Sequence, residues 1–355
     1  MYNQSITHEN LKNYYGKILH GSSDLKTSAC CCGTESLPVE VKAALKQIDD
    51  EIINRFYGCG SPIPPVLEDC TVLDLGCGTG RDVYIASKLV GENGRAIGID
   101  MTDEQLDIAR RSIDSMTRKF GYQNPNVDFQ KGYIEDLKSA KISDNSVDIV
   151  ISNCVINLSP DKHAVLSEIF RVLKPGGELF FSDIFSGRRM PEQFKDDPVL
   201  HGECLAGAMY IEDFRRLLND LGCPDYRVTA KRRILLNNPA IETKIGMIDF
   251  YSMTIRAFKL AALEDICEDY GQVAVYQGSI PNHPHYFDLD NHHRFITGKQ
   301  MLVCGNTAAM VSDTRFAGHF KVYGDRSVHY GPFDCAPASV KAENPDEGGS
   351  GGACC

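Results

Sequence analysis

Residues 72–81 read Val-Leu-Asp-Leu-Gly-Cys-Gly-Thr-Gly-Arg, and this stretch decides the fold. Its apolar start is typical of a buried strand, and the three glycines indicate a tight turn that opens a helix. Glycine is needed there because the backbone adopts unusual dihedral angles and a ligand must approach it closely. Asp100 ends the next apolar run, twenty residues after Gly80. Its carboxylate can accept hydrogen bonds from ribose hydroxyls, so the two features predict an adenosine-containing ligand.

Short apolar runs alternate with amphipathic segments on the carboxyl-terminal side of this turn. The alternation is typical of βαβ units and predicts an α/β fold with a mostly parallel sheet and flanking helices. The predicted strands are 71–76, 95–100, 127–131, 147–153 and 178–184, and the predicted crossover helices are 105–120 and 162–173. Lys174-Pro175-Gly176-Gly177 is predicted to end the last helix.

The rest of the chain divides into further segments. Residues 1–56 are predicted to be an N-terminal helical segment that contains Cys30–Cys32, with a helix from about 38 to 56. The ligand-binding domain is predicted over 57–235. Alternating patterns such as 250–256 and 272–276 then favour a smaller α+β, strand-rich domain over 236–340. Residues 341–355 combine glycine, proline and charge and end in Cys354-Cys355, which predicts a disordered tail.

Composition and charge exclude some partners. The chain has 355 residues, with 37 Lys and Arg against 48 Asp and Glu, which gives a formal net charge of −11. This charge argues against a polyanion as partner, so no nucleic-acid binding is expected. The N-terminus carries neither the basic region nor the apolar stretch of a secretory signal, and no run of about 18 apolar residues occurs. We therefore expect a cytoplasmic protein without membrane contacts.

The glycine spacing separates two kinds of nucleotide site. Gly76-x-Gly78-x-Gly80 differs from the Gly-x-Gly-x-x-Gly of dinucleotide sites, and Asp74 suits an ammonium group better than a pyrophosphate. The form Asp-x-Gly-x-Gly-x-Gly resembles motif I of the class I S-adenosylmethionine methyltransferases. Features at 132–135, 148–153 and 173–177 agree with it in order along the chain. The resemblance implies a Rossmann-like sheet and S-adenosylmethionine as methyl donor, and an incidental glycine-rich turn is the alternative.

Fourteen cysteines are unusual in a chain without an export signal. They do not show the Cys-x-x-Cys pairing of a zinc ribbon, which leaves buried thiols, redox chemistry or a thiolate site built from distant segments. Cys154 directly follows the predicted strand 147–153, and Cys59 and Cys204 fall in loops before the first strand and after the fifth. Because acceptors bind beyond the carboxyl ends of parallel strands, these three cysteines are candidates for one acceptor site.

Three motifs make the resemblance more specific. Tyr57-Gly58-Cys59-Gly60, the segment 152–158 and Gly202-Glu203-Cys204-Leu205 resemble the arsenite S-adenosylmethionine methyltransferases, over about residues 25–256. The resemblance implies that Cys59, Cys154 and Cys204 bind As(III). It also implies that a fourth cysteine, Cys30 by motif, joins redox or early capture steps, although Cys31 or Cys32 could take its place. It further implies a small-molecule arsenical substrate and a thiol reductant such as glutathione or thioredoxin.

The chemistry of arsenic is consistent with this ligand set. As(III) is soft, so thiolates select it. Three sulfurs hold it as a pyramid whose lone pair can attack the sulfonium methyl in line, and the protein then mainly positions the two reactants. An As(V) product or intermediate must be reduced, with protein thiols and an external thiol system resetting the site.

The resemblance also assigns the residues that line the cofactor. Ile134 would pack against the adenine, Glu135 would lie beside its exocyclic amine, and Cys77 would offer only its backbone. The implied cofactor-binding residues are Tyr57, Asp74, Gly76, Cys77, Gly78, Gly80, Asp100, Met101, Ile134, Glu135, Asn153 and Val155.

Simpler interpretations cover the remaining features. Cys70, Cys223, Cys267 and Cys304 are expected to be small buried hydrophobes. The histidines at 283, 285, 292 and 293 are expected in an exposed turn rather than a metal site, and Cys354-Cys355 either captures arsenic or is dispensable. Two other functions stay open from the sequence: a methyltransferase of the same fold acting on oxygen or carbon of a metabolite, and a non-catalytic carrier of arsenic or a metal.

Overall fold

The computed structural model describes residues 37–55, 58, 62–194, 197, 200 and 205–334. Predictions for other positions, including Cys30, Tyr57, Cys59, Cys204 and the tail 341–355, lie outside the described residues.

A large sheet forms the centre of the protein. Its strands are β1 Thr71–Leu75, β2 Arg95–Asp100, β3 Val127–Lys131, β4 Val147–Asn153, β5 Leu173–Ser186, β6 Met209–Tyr210, β7 Tyr226–Ile234 and β8 Phe250–Phe258. The order is β3-β2-β1-β4-β5-β8-β7, with β6 paired to β5. Strands β1 to β5 are parallel, and β8 runs antiparallel to both β5 and β7. The predicted fold class, an α/β fold with a mostly parallel sheet and flanking helices, is confirmed.

Helices cover both faces of this sheet. Their bounds are α1 Val39–Leu45, α2 Asp50–Ile53, α3 Arg81–Val90, α4 Asp103–Arg111, α5 Ile113–Phe120, α6 Lys162–Val172, α7 Ile211–Asp220 and α8 Pro239–Ile245. No helix within the described ranges is long and apolar enough to cross a membrane.

Two predicted helices are each divided in the structure, and one predicted strand begins earlier. The predicted helix 105–120 is two helices that meet at Ser112, whose hydroxyl donates to the carbonyl of Ile108 at 3.1 Å, and serine competes for backbone groups in this way. The predicted helix 38–56 is also two short helices, α1 and α2. The last crossover helix ends at Val172, just before the stretch 174–177 that was predicted to end it, and β5 begins at Leu173 rather than at residue 178.

The central strands are buried on both faces, as expected for a parallel sheet covered by helices. Leu73 and Leu75 of β1 face one apolar cluster together with Val150. Val72 faces the opposite cluster together with Ile149. The core therefore holds the carboxyl ends of β1 and β4 in place from both sides.

The sheet extends beyond the predicted domain boundary at residue 235. The alternating stretch 250–256 was predicted to belong to the smaller C-terminal domain, but it lies in β8 of the large sheet. Its alternation arises because β8 is an antiparallel strand whose neighbours cover it differently on the two faces. The boundaries themselves stay a proposal, and the structure places the end of the large sheet at Phe258.

Residues 259–334 form a smaller part that we call the C-terminal module. Its elements are β9 Glu268–Asp269, β10 Val273–Tyr276, β11 Tyr286–Asp288, β12 Arg294–Ile296, β13 Gln300–Leu302, α9 Gly305–Ser312, β14 Phe320–Tyr323 and β15 Gly331–Pro332. Strand β10 pairs with both β13 and β14, and β9 pairs with β15. The module has its own apolar cluster, centred on Phe287, Phe295 and Phe316.

The C-terminal module packs at the amino edge of the parallel strands. Strand β8 ends at Phe258, which is opposite Glu178 in β5. The next residue, Lys259, donates from its backbone to Gly177 at 2.9 Å and from Nζ to Asn145 at 2.8 Å, and both partners lie near the beginnings of strands. The glycine turn follows β1 and therefore lies at the opposite, carboxyl edge.

Candidate active site

A cavity opens at the carboxyl ends of β1, β2 and β4. Apart from Gly80, every predicted cofactor residue in the described part of the chain lines it: Asp74, Gly76, Cys77, Gly78, Asp100, Met101, Ile134, Glu135, Asn153 and Val155. Gly80 instead caps α3, with a φ of 89°. Cys154 lines the same cavity. A candidate arsenic ligand and the candidate cofactor residues therefore share one space.

The glycine turn has no room for a side chain at Gly76. Gly76 has a φ of 72°, and a Cβ there would lie 2.5 Å from the side chain of Val155. The amide of Gly78 donates to Asp100 at 2.9 Å, and the amide of Thr102 donates to the other oxygen of the same carboxylate at 2.8 Å. Asp100 thus ties the turn after β1 to the end of β2.

The buried carboxylates of Asp74 and Asp82 and the half-buried carboxylate of Asp100 give the cavity a negative character. Burial raises the pKa of Asp74 well above its usual value, and the nearby Asp82 and Asp100 raise it further. Burial also raises the pKa of Asp100, although the amides of Thr102 and Gly78 oppose this shift. A cationic ligand would relieve this repulsion, whereas a pyrophosphate would increase it. The donor set therefore fits the ammonium and sulfonium groups of S-adenosylmethionine.

Asp82 is a cavity residue that the sequence analysis missed. It lies in the first turn of α3, is 4% exposed and pairs with Arg81 at 2.8 Å. Its second oxygen accepts from the side-chain amide of Asn153 at 3.3 Å. A carboxylate four residues before the buried Ala86, on one helix face, was the available signal. Other lining residues missed were Arg55, Thr79, Arg81, Thr102, Gln105, Gly132, Tyr133, Leu158 and Ser159.

The sulfur of Cys77 packs into the sheet. A Cβ on Gly98 would lie 2.7 Å from Cys77 Sγ, so the thiol occupies the space that this glycine leaves. Burial raises the pKa of the thiol well above its usual value, and Asp100 and Asp74 add to the shift. A neutral, buried thiol is consistent with the prediction that Cys77 offers only its backbone to a ligand.

Cys154 occupies a strained backbone position directly after β4. Its φ is 57°, which non-glycine residues seldom adopt, and its amide donates to the carbonyl of Ser182 at 2.8 Å. The residue is 3% exposed and is disulfide-bonded. The described cysteines at 70, 77, 223, 267 and 304 are free, so none of them is its partner.

A buried carboxylate anchors the segment after Cys154. Asp183 Oδ1 accepts from the side-chain amide of Asn157 at 2.7 Å and from the amide of Ile184 at 2.8 Å. Its Oδ2 accepts from the backbone of Asn157 at 3.1 Å. Burial raises the pKa of Asp183 to about 7, against the effect of these donors. The turn that carries Cys154 is therefore tied to β5.

Described neighbours of the other two candidate arsenic ligands reach this region. Leu205 belongs to the same buried apolar cluster as Cys154 and Ile184. A Cβ on Gly207 would lie 2.0 Å from the carbonyl oxygen of Asn157, so the chain after position 204 crosses closely over the chain after Cys154. On the amino-terminal side, Arg55 lines the cavity. Cys30, Cys59 and Cys204 themselves lie outside the described residues.

The histidine-containing loop is only partly the exposed turn that we expected. His285 and His292 are exposed, but His293 is 6% exposed and Asp290 is 5% exposed. Their side chains lie 2.9 Å apart, and Asp290 also pairs with Arg227 at 3.3 Å, which explains the burial. Within the described ranges, no group of three or more His, Cys, Asp or Glu side chains could hold a metal ion.

Comparison with known proteins gives two family matches. Residues 67–222 match the profile of a methyltransferase domain. Residues 270–348 match the profile of an arsenite methyltransferase C-terminal domain. The first match covers β1 to β6 of the large sheet, and the second begins within the C-terminal module.

Similar curated proteins extend over most of the chain. The arsenite methyltransferase of Aquipseudomonas alcaligenes is 51% identical over 327 residues, which are 92% of this chain and 94% of that protein. Those of Mus musculus and Homo sapiens are 43% and 42% identical, over 88% of this chain and 82% and 83% of their own lengths.

One solved structure is similar throughout. The crystal structure of an arsenic(III) S-adenosylmethionine methyltransferase from Chlamydomonas reinhardtii is 52% identical to this chain, with a TM-score of 0.82. The match covers 84% of this chain and 100% of the other.

Proposed function

Because this chain belongs to the arsenite methyltransferase family, we propose that its cavity brings bound S-adenosylmethionine next to trivalent arsenic held by cysteine sulfur. The chain is an S-adenosylmethionine-dependent arsenite methyltransferase. The residues that hold the two reactants, the geometry of attack and the reductant are the parts that we propose here.

The cofactor residues have separate tasks. When bound, S-adenosylmethionine supplies an electrophilic methyl group on a sulfonium. Asp74 would take the ammonium group, since burial and neighbouring carboxylates make it the site where a cation relieves most repulsion. Asp100 would accept from the ribose hydroxyls. Ile134 would pack against the adenine, with Glu135 beside the exocyclic amine, and both residues line the cavity.

Arsenic would be held by Cys154 together with Cys59 and Cys204. The observation that carries this proposal is that Cys154 lines the same cavity as Asp74, Asp100 and Asn153. Three thiolates leave the arsenic lone pair free, and that pair can attack the methyl group in line. The approach of Leu205 and Gly207 to the turn after Cys154 supports a place for Cys204 at the same edge.

A thiol reductant is needed before Cys154 can bind arsenic, because its sulfur is disulfide-bonded. Two equivalents of an external thiol would convert this disulfide into two protein thiols and one small disulfide. Glutathione or thioredoxin would serve, with Cys30 as an intermediate thiol.

A second cavity borders the first and supports the approach of such a thiol. It shares Leu158 and Ser159 with the cofactor cavity and has Lys162 and Arg189 in its wall. Lys162 suits a carboxylate of a small peptide thiol or of its arsenic conjugate, whereas Arg189 is already paired with Asp213 at 2.6 Å.

The test compares cysteine variants in methyl transfer. Purified protein is mixed with labelled S-adenosylmethionine, arsenite and glutathione, and methylated arsenicals are measured. Cys154→Ser should abolish product, by at least about 100-fold, because one of three arsenic ligands is lost. Cofactor affinity should stay within about twofold of wild type, since the turn is kept.

Cys70→Ser is the matched control, because Cys70 is a free cysteine outside both cavities. It should keep wild-type turnover. Near-normal turnover of Cys154→Ser on arsenite and its thiol conjugates would contradict the proposal that three cysteine sulfurs bind arsenic. Methylation of an organic metabolite without arsenic would instead favour a different acceptor.

A further inference from the structure

One serine hydroxyl lies where the two cavities meet. Ser159 lines both the cofactor cavity and the second cavity, and it is 5% exposed. Its Oγ donates to Glu135 Oε1 at 2.5 Å, between residues that are 24 positions apart in the chain. The same Oγ accepts from the backbone amide of Asp161 at 3.1 Å. The tasks proposed above for the cavity residues leave this hydroxyl unexplained.

The hydrogen-bond pattern fixes the direction of the hydroxyl proton. A backbone amide can only donate, so Ser159 Oγ is the acceptor in its bond with Asp161. The single hydroxyl proton then points to Glu135, at a distance typical of a charge-assisted bond from a hydroxyl to a carboxylate. A serine that served only the start of α6 would need the bond with Asp161 alone. The bond to Glu135 therefore acts on the cofactor cavity.

The turn that carries this hydroxyl is anchored to the sheet. The backbone amide of Ser159 donates to the carbonyl of Ile156 at 3.2 Å, which closes the 3-10 turn Ile156–Leu158. The middle residue of the turn, Asn157, is tied to β5 through the buried Asp183. The hydroxyl therefore has a fixed place relative to the large sheet.

Glu135 itself lies in a part of the chain without helix or strand. It follows β3, which ends at Lys131, and its side chain is half-buried in the cavity wall. A glutamate side chain has three torsions, and the freedom that it loses when a ligand binds weakens affinity. The bond from Ser159 holds one carboxylate oxygen in advance, and a carboxylate can accept several hydrogen bonds at once.

We propose that Ser159 is a positioning residue that orients the Glu135 carboxylate toward the exocyclic amine of the adenine. It thereby sets the preference for adenine over a purine that lacks this amine. The proposal rests on the proposed function in so far as Glu135 lies beside that amine. Ser159 takes no part in methyl transfer itself, so its effect belongs to the selectivity of cofactor binding.

The experiment measures this selectivity with two ligands on the same protein. S-adenosylhomocysteine and its analogue with hydrogen in place of the exocyclic amine are each titrated calorimetrically into the full-length protein. Wild type should bind the adenine form at least about 10-fold more tightly, because the analogue cannot donate to the carboxylate. Ser159→Ala should reduce this ratio by about 3- to 10-fold. Any unfolded fraction affects both ligands equally and cancels in the ratio.

The control variants separate the hydroxyl from its surroundings. Ser159→Thr keeps a hydroxyl and should keep the wild-type ratio, and Ser159→Gly replaces Ser159→Ala if the alanine variant does not fold. Ser139→Ala is the matched control, since Ser139 donates to the exposed carboxylate of Asp136 and lines neither cavity. It should also keep the wild-type ratio.

A double-variant comparison tests whether Ser159 acts through Glu135. Glu135→Ala should lose at least as much selectivity as Ser159→Ala. Adding Ser159→Ala to Glu135→Ala should lower the ratio no further, because the two residues act through one hydrogen bond.

Three results would overturn the proposal. A Ser159→Ala variant with the wild-type ratio, beside a Glu135→Ala variant that loses it, would keep Glu135 as the partner of the amine and remove the role of Ser159. An equal loss of affinity for both ligands in Ser159→Ala would assign that serine a purely structural role. A wild-type ratio in Glu135→Ala would contradict the proposed place of Glu135, and the role of Ser159 with it.

Discussion

At the scale of single residues, charge explains the cofactor cavity. The carboxylates of Asp82 and Asp100 lie close enough to Asp74 to disfavour its ionisation. Among the described residues, Arg81 is the basic side chain whose charge lowers the pKa of Asp74, and it is already paired with Asp82. The cavity is thus arranged to gain free energy when a cation enters.

Asp74→Asn should weaken S-adenosylmethionine binding by about 10- to 100-fold, since a hydrogen bond to a charged group contributes about 1.5–3 kcal/mol. Affinity of the wild type should rise with pH through the raised pKa of Asp74, because only the ionised form attracts the ammonium group. The variant should lose this part of the pH dependence. Calorimetric titration across pH measures both effects, and Asp107→Asn, on the exposed side of α4, is the control.

A pH dependence that is the same in Asp74→Asn and wild type would contradict this assignment. So would an Asp107→Asn variant that weakens binding as much.

At the scale of elements, the turn after β1 and the turn after β4 constrain each other. Gly76 follows β1 and Val155 follows β4, and there is no room between them for a Cβ. Gly78 has a φ of 53° but open space around its missing Cβ. Substitutions at these two glycines therefore distinguish the cost of a positive φ, which both share, from the cost of steric overlap, which only Gly76 has.

Gly76→Ala should destabilise the protein more than Gly78→Ala. Both variants incur the strain of a positive φ, about 1–3 kcal/mol, but only the first also meets Val155. Adding Val155→Ala to Gly76→Ala should recover part of the loss. Thermal denaturation of the four proteins measures the differences. Equal losses in the two glycine variants would show that Val155 moves away without cost.

At the scale of the whole molecule, a buried ion cluster joins the C-terminal module to the large sheet. Glu178 is fully buried and pairs with Arg256 at 2.7 Å and with Arg315 at 2.5 Å. Arg315 also donates to the carbonyl of Pro65 at 3.1 Å, ahead of β1. The ring of Phe316 lies against both guanidinium groups. One carboxylate thus connects three separate parts of the chain.

Glu178→Gln should lower stability by about 3–5 kcal/mol, because it leaves two buried cations without their counter-charge. The control is Glu212→Gln, which breaks a largely exposed pair with Arg215 and should cost at most about 1 kcal/mol. Denaturant titration followed by circular dichroism compares them. Equal midpoints in the two variants would mean that the cluster contributes little to stability.

The sequence predicted the elements that repeat a strong local pattern. Strands β1 to β4 and the glycine turn were found because apolar runs and glycine spacing are local signals. The residues that line the cofactor cavity were predicted from the resemblance to a known family. The place of β8 was missed because pairing partners are non-local, and an alternating strand looks the same in either sheet. Asp82 was missed for the same reason, since spacing along the chain does not show which side chains meet.

The antiparallel course of β8 separates the two ends of the molecule. It returns the chain to the amino edge before the C-terminal module begins, and no described residue of that module lines the cofactor cavity. Substitutions among the described residues of the module therefore leave the described wall of that cavity unchanged, so the two regions can diverge independently in evolution.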